Sequence, residues 1–99
     1  MLTMLLKENT STHLADLFSA LSDPSRLRII SVLLEGEMNV GDIAARLVMT
    51  ESAVSHQLRG LRQMRLVRSR KDGRQVFYAL DDDHVAKLYS LGLDHVEHG

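Results

Sequence analysis

Apolar residues recur at helical spacing from about residue 14 to residue 61, alternate between about 66 and 80, and return to helical spacing towards the end of the chain. Leu14, Leu17, Phe18 and Leu21 fall on one face of a first helix ending near Leu21, with Ser11 or Thr12 placed to cap it. Asp23-Pro24 supplies an N-cap acid followed by proline at the first helical position. The helix this opens, Pro24 to Glu35, carries Leu27, Ile29, Ile30, Val32, Leu33 and Leu34 around much of its circumference, as a central core helix does, and Gly36 ends it. Asn39 can cap a short helix, Val40 to Leu47, with Ile43, Ala44 and Leu47 inward; Thr50 can cap the next, Glu51 to about Met64, with Val54, Leu58 and Leu61 inward. Two short helices separated only by Val48-Met49-Thr50 predict a helix-turn-helix over about 40–64.

Between Leu66 and Leu80 the period becomes two. Val67 and Ser69 alternate with Arg68 and Arg70, Val76-Phe77-Tyr78 are strand formers, and Asp72-Gly73 is a hairpin turn signal. The result is a β-hairpin with a charged tip of Arg70, Lys71, Asp72, Gly73 and Arg74, and a hairpin directly after a helix-turn-helix is a wing. Asp81-Asp82-Asp83 then cap a last helix over about 82–98, with Val85, Leu88, Leu91 and Leu93 on its apolar side. The predicted fold is mainly α with a small β-hairpin, a winged helix-turn-helix of order ααααββα forming one domain over 1–99. A 99-residue chain buries only a modest core, which leaves room for stabilisation by a partner subunit.

Composition narrows the chemistry. The chain has no cysteine, which excludes disulfides and thiolate metal sites. No apolar run approaches the ~20 residues that span a bilayer. The apolar start, Met1 to Leu6, is short and lacks the basic flank of a signal peptide, so a cytoplasmic protein is expected. The net charge of −1 conceals a strong asymmetry. Arg59, Arg62, Arg65, Arg68, Arg70, Lys71 and Arg74 face only Glu51 and Asp72 between residues 51 and 78, while the segments on either side are acidic. A basic block of this kind suits a polyanion, or is a solvated surface.

Its location favours nucleic acid. The helix from Glu51 presents Ser52, Ser55, His56 and Arg59 near its N-terminal end, and short hydroxyls and one imidazole suit base edges and phosphates at close range in a major groove. Arg59, Arg62 and Arg65, with Arg70, Lys71 and Arg74 of the wing, can neutralise phosphates on either side. The runs "ALSDPSRLRIISVLL", "VGDIAARL", "ESAVSHQLRGLRQMRLVRSRKDGRQVFYAL" and "DDDHVAKL" resemble the ArsR/SmtB family of metal-sensing transcriptional repressors, over nearly the whole chain from about His13 to His98. The resemblance implies a homodimer on an imperfect palindrome of operator DNA, joined through its first and last helices. It also implies operator contact by Ser52, Ser55, His56 and Gln57. Glu51 departs from the pattern: an acid opening the recognition helix either repels phosphate or accepts from a cytosine amine.

The histidines carry a second signal. His84, His95 and His98 lie in the last helix, with Asp82 two residues before His84. His95 and His98 share a face at i, i+3; His84 and His95, eleven apart, also share one but are separated by roughly 16 Å along the axis. Zinc–nitrogen bonds are about 2 Å, so one helix cannot close a site from all four groups. A second, antiparallel copy can, giving two equivalent sites per dimer, each with ligands from both chains. Asp82, His84, His95 and His98 make a one-carboxylate, three-imidazole set suited to tetrahedral Zn(II), with Co(II) as a substitute. By spacing alone the terminal histidines could also be surface residues or tag remnants, although "HVEHG" is not a polyhistidine run. The pattern D-x-H with a later H-x-x-H resembles the last-helix sites of the CzrA-type zinc/cobalt sensors of the same family. Met38 and Asn39, in a chain without cysteine, exclude the family's other common metal site. Asp94 and Glu97 are read as solvated surface acids, with orientation of the imidazoles as the other option; His13 is read as a surface or interface residue.

The resemblance further implies that the apo dimer binds DNA and that zinc lowers its affinity, releasing metal efflux or resistance genes from repression. The alternative is a winged-helix regulator not controlled by zinc, answering to Co, Ni or another ligand. An enzyme is not expected: there is no H-E-x-x-H run, no phosphate-binding glycine loop and no Cys–His pair, and four protein ligands leave zinc no open position.

Overall fold

The computed structural model describes residues 5–99, so Met1 to Met4 of the apolar start lie outside the described residues. The elements are α1 (Glu8–Ala20), α2 (Pro24–Leu33), β1 (Met38–Asn39), α3 (Val40–Leu47), α4 (Glu51–Gln63), β2 (Val67–Asp72), β3 (Gln75–Leu80) and α5 (Asp83–His98). This is a winged helix-turn-helix, mainly helical, with one small antiparallel sheet.

Four helix starts follow from cap chemistry. The side chains of Asp23, Asn39, Thr50 and Asp82 accept from the backbone N–H of Ser25, Asp42, Ala53 and His84 respectively. The first helix is different. It begins at Glu8, and the hydroxyls of Ser11 and Thr12 donate back to the Glu8 carbonyl from inside the helix rather than capping it. The second is shorter than expected, ending at Leu33, with Gly36 in the loop beyond at φ 138°.

The sheet has the order β1-β3-β2. The two-residue strand β1 sets Met38 opposite Tyr78 and Asn39 opposite Phe77, an element too short to leave a periodic trace in the sequence. In the hairpin Val67 faces Leu80 and Asp72 faces Gln75, so the turn is Gly73-Arg74, one residue later than an Asp-Gly turn. Burial of Val67 fixes that register, and Gly73 then supplies the positive φ (63°) at the first loop position.

The core is centred on α2, α3 and α4, where Ile29, Ile30, Ile43, Val54, Leu58 and Leu61 are fully buried. The outer helices contribute little: Ala20 from α1 and Val85 from α5. Phe18 stays 53% exposed and Val96 82%. Between α1, α2 and α5 runs an apolar groove of about 480 Å³, lined by Phe18, Leu21, Leu27, Leu88, Leu93 and Val96 among others. Leu91 is not on that stripe. It points away from it and is 70% exposed, a correction to the apolar side expected for the last helix. No helix among the described residues is long and apolar enough to cross a membrane.

Candidate nucleic-acid interface and metal-ligand set

In α4, Val54, Leu58 and Leu61 bury one face completely. Ser52, Ser55, His56 and Arg59 are exposed, and their spacing of three, one and three places them on a single outward face. The helix is aimed by the turn before it. Val48 adopts the left-handed conformation (φ 55°), and Arg28 Nη2 donates to the Leu47 carbonyl at 3.2 Å, satisfying an end of α3. Glu51 is exposed in the first turn of α4, where an acid favours the helix N-terminus. Arg62 is exposed near its C-terminal end. Arg65, at φ 58°, follows the C-cap Met64, and the next N–H, from Leu66, returns to the Leu61 carbonyl at 2.9 Å.

Gln57 stands apart from that face. It is half-buried, and its Oε1 accepts from Arg26 Nε of α2 at 2.8 Å. Arg70 is likewise engaged within the chain. Its guanidinium donates to both carboxylate oxygens of Glu37, 2.8 Å from Nε and 2.6 Å from Nη2, and lies 4.9 Å from the Phe77 ring centroid. The Arg70 hydrogen bonds hold the Glu37 carboxyl below its ordinary pKa against the opposing effect of desolvation. Asn39 Nδ2 donates to Gln75 Oε1 at 2.9 Å, a second tie between the α2–α3 connection and the wing. Lys71 and Arg74 are exposed at the hairpin tip and make no ion pair among the described residues. Arg26 and Glu37, the partners of Gln57 and Arg70, were not singled out in the sequence. They lie 31 and 33 residues from those partners, and no local pattern marks them.

The four candidate ligands fall into two groups at opposite ends of α5. At the start, Asp82 Oδ1 caps the helix while Oδ2 lies 3.3 Å from His84 Nδ1. Metal bonds of about 2.0 Å at tetrahedral angles put ligand atoms about 3.3 Å apart, so this pair has the spacing one ion needs. Desolvation raises the Asp82 carboxyl pKa, but the hydrogen bonds from the His84 side chain and from the His84 and Val85 backbone outweigh it and leave the value lowered. At the far end, His98 Nδ1 lies 3.1 Å from Asp94 Oδ1. Asp94 is thus an exposed acid, as expected, that also touches the His98 imidazole, with 75% and 71% of the two side chains open to solvent. His95 is exposed one turn before His98. Among the described residues no three His, Asp or Glu side chains of one chain converge as a metal group. The two halves stand apart, as the rise of one helix requires.

Residues 23–69 match the model of the family described as bacterial regulatory protein, arsR family. The chain is 54% identical over 86% of its length to the transcriptional repressor SmtB homolog of Synechocystis, and spans 64% of that relative. It is 40% identical over 91% of its length to the cadmium resistance transcriptional regulatory protein CadC homolog of Staphylococcus aureus, spanning 75% of it. The solution structure of the homodimeric winged helix-turn-helix DNA-binding domain Mb0332 from Mycobacterium bovis superposes with a TM-score of 0.82 at 27% identity, covering 98% of this chain and 93% of that one.

Proposed function

The chain belongs to the arsR family of bacterial regulatory proteins, and on that premise we propose that it is a dimeric, metal-released transcriptional repressor. The observation that carries the DNA-binding reading is the outward face of α4. Ser52, Ser55, His56 and Arg59 stand exposed opposite a fully buried stripe, beside a wing whose Lys71 and Arg74 are available for phosphates. Ser52, Ser55 and His56 enter the major groove; Arg59, Lys71 and Arg74 contact backbone.

The dimer reading rests on shape and on the uncovered groove. The radius of gyration is 15.2 Å, against roughly 13 Å for a compact 100-residue domain. The outer helices α1 and α5 each keep apolar side chains exposed, among them Leu14, Phe18, Leu93 and Val96. A second copy seated on those side chains supplies the burial they lack. Relatives such as Mb0332, a homodimeric winged helix-turn-helix, support the same assembly.

Dimerisation also answers the split ligand set. Asp82 and His84 of one protomer, with His95 and His98 of its partner, form one site, and symmetry gives the second. A bound Zn(II) supplies a fixed link between the two last helices, with Co(II) the nearest substitute. The residues of this chain do the rest. Asp94 orients His98, and Asp82 holds both the helix start and a ligand position. A dimer reads two half-sites at one spacing of its recognition helices, so an arrangement of α5 that alters that spacing opposes DNA binding. The coupling is reciprocal, and a typical value of 1–3 kcal/mol corresponds to about 5–150-fold in affinity. The regulated genes are then those of metal efflux or resistance.

The test is the affinity of the dimer for its own promoter DNA at fixed salt, with zinc and then with a chelator. A weakening by zinc of about tenfold or more falls within that range of coupling. Equal affinities would leave a DNA-binding regulator that answers to another metal or ligand.

A further inference from the structure

Arg26 joins three parts of the molecule through one side chain. It sits in the first turn of α2, half-buried. Its Nη1 donates to the Ala20 carbonyl at the end of α1, at 3.2 Å. Its Nε donates to Gln57 Oε1 of α4, at 2.8 Å. The guanidinium lies against the bare Cα of Gly60, so close that a Cβ there would come within 2.5 Å of Nη2. Arg26 forms no ion pair among the described residues, so its donors serve a neutral amide and a neutral carbonyl on two different helices.

This geometry has two consequences. A planar fork with donors on both edges fixes direction as well as distance, in a way a lysine ammonium does not. And a Gln57 carbonyl that accepts from Arg26 is oriented towards α2, whereas a glutamine that grips an adenine edge turns both of its amide groups to the base. Gln57 is half-buried, while its neighbours Ser55 and His56 are exposed.

We propose that Arg26 and Gln57 are a positioning pair that sets the recognition helix against the end of α1, and that Gln57 acts through this pair rather than by reading a base. The inference rests on the reading that α4 binds operator DNA. It adds a route for control: α1 carries part of the apolar groove that a second copy covers, and Arg26 is its polar link to the reading helix. A shift of α1 on dimer rearrangement is thereby transmitted to the residues that face the groove of DNA.

The test is a double-substitution cycle on the full chain with Arg26→Met, Gln57→Met and both together. Operator affinity is measured across a salt series and against operators with single base-pair changes, and urea unfolding is followed in parallel. Each single substitution is expected to weaken operator binding by roughly tenfold, the scale of a hydrogen bond to a charged group. The double is expected to be no worse than either single, since both remove the same interaction. The order of preference among operator variants and the slope of affinity with salt stay as in the unsubstituted chain. The proposal is overturned if Gln57→Met flattens preference at one base pair while Arg26→Met does not, since Gln57 then reads that base. It is also overturned if Arg26→Met lowers the salt slope, which would mean that Arg26 neutralises a phosphate, or if the two effects add. If the unsubstituted chain binds no operator, the DNA-binding reading fails, and the unfolding cycle still decides the pair: non-additive losses support it and additive ones overturn it.

Discussion

Arg70 of the wing grips Glu37 of the α2–β1 connection with two hydrogen bonds, at 2.8 and 2.6 Å. An arginine in a hairpin next to a recognition helix invites assignment as a phosphate contact. Here the guanidinium is committed along its Nε/Nη2 edge, and one face is turned to Phe77. That edge ties the wing to the α2–β1 connection.

That distinction is measurable through salt. Removing a side chain that neutralises one phosphate lowers the slope of log affinity against log salt by about 0.9, and by twice that in a symmetric dimer. Arg74→Gln, at the exposed tip, is expected to lower the slope by that amount. Arg70→Gln is expected to leave the slope nearly unchanged while weakening binding through a looser wing. A drop in slope for Arg70→Gln equal to that of Arg74→Gln would make Arg70 a phosphate ligand.

The same pair fixes a pH dependence. Hydrogen bonds from Arg70 lower the Glu37 carboxyl in the folded state, and Arg46 does the same for Glu35. A carboxyl lowered on folding contributes stability above its unfolded value, near 4.3 for a free glutamate, and that contribution is lost as pH falls through the lower folded value. The chain is therefore expected to lose stability as pH drops below the ordinary glutamate range. In Glu37→Gln, urea midpoints measured between neutral and acidic pH should show a shallower fall. An identical fall in both proteins would place the acid sensitivity elsewhere.

Val48 is a β-branched residue held at φ 55° with 92% of its surface exposed. An L-residue in this region costs about 1–2 kcal/mol, and asparagine tolerates it better. Little packing is sacrificed with so exposed a side chain. Val48→Asn is expected to raise unfolding stability by about 1 kcal/mol in urea titration. A decrease would show that the Val48 side chain is covered in the assembled protein.

What could be read from the sequence divides along a physical line. Caps and stripes are local, and Asp23, Asn39, Thr50 and Asp82 announce their helices because the bond they make lies two or three residues away. Ser11 and Thr12 misled because the same hydroxyls can cap a helix or bond back into one, and only the residues before them decide. The division of the ligands into two ends of α5 was legible because helical rise is constant. The partners of Gln57 and Arg70 were not, since those contacts join distant segments and depend on how α2 packs against α4 and how β1 joins the sheet.

Leu91 ties the metal reading to the dimer. It is seven residues after His84 and four before His95, so at 100° per residue it shares their face of α5 while the groove stripe runs along another. A leucine 70% exposed between ligand positions has no role in the isolated chain. If two α5 helices pair antiparallel, with His84 of each near His98 of its partner, residue 91 lies midway and meets its own symmetry mate. Leu91→Glu then sets two like charges together at the two-fold axis. Sedimentation is expected to show a shift from dimer to monomer, and zinc affinity should fall with it because each site takes ligands from both chains. Helicity by circular dichroism should be retained, since the substitution leaves the α2–α4 core untouched. A Leu91→Glu chain that stayed dimeric with unchanged zinc affinity would rule out the antiparallel α5 pairing, and the two-chain metal site with it.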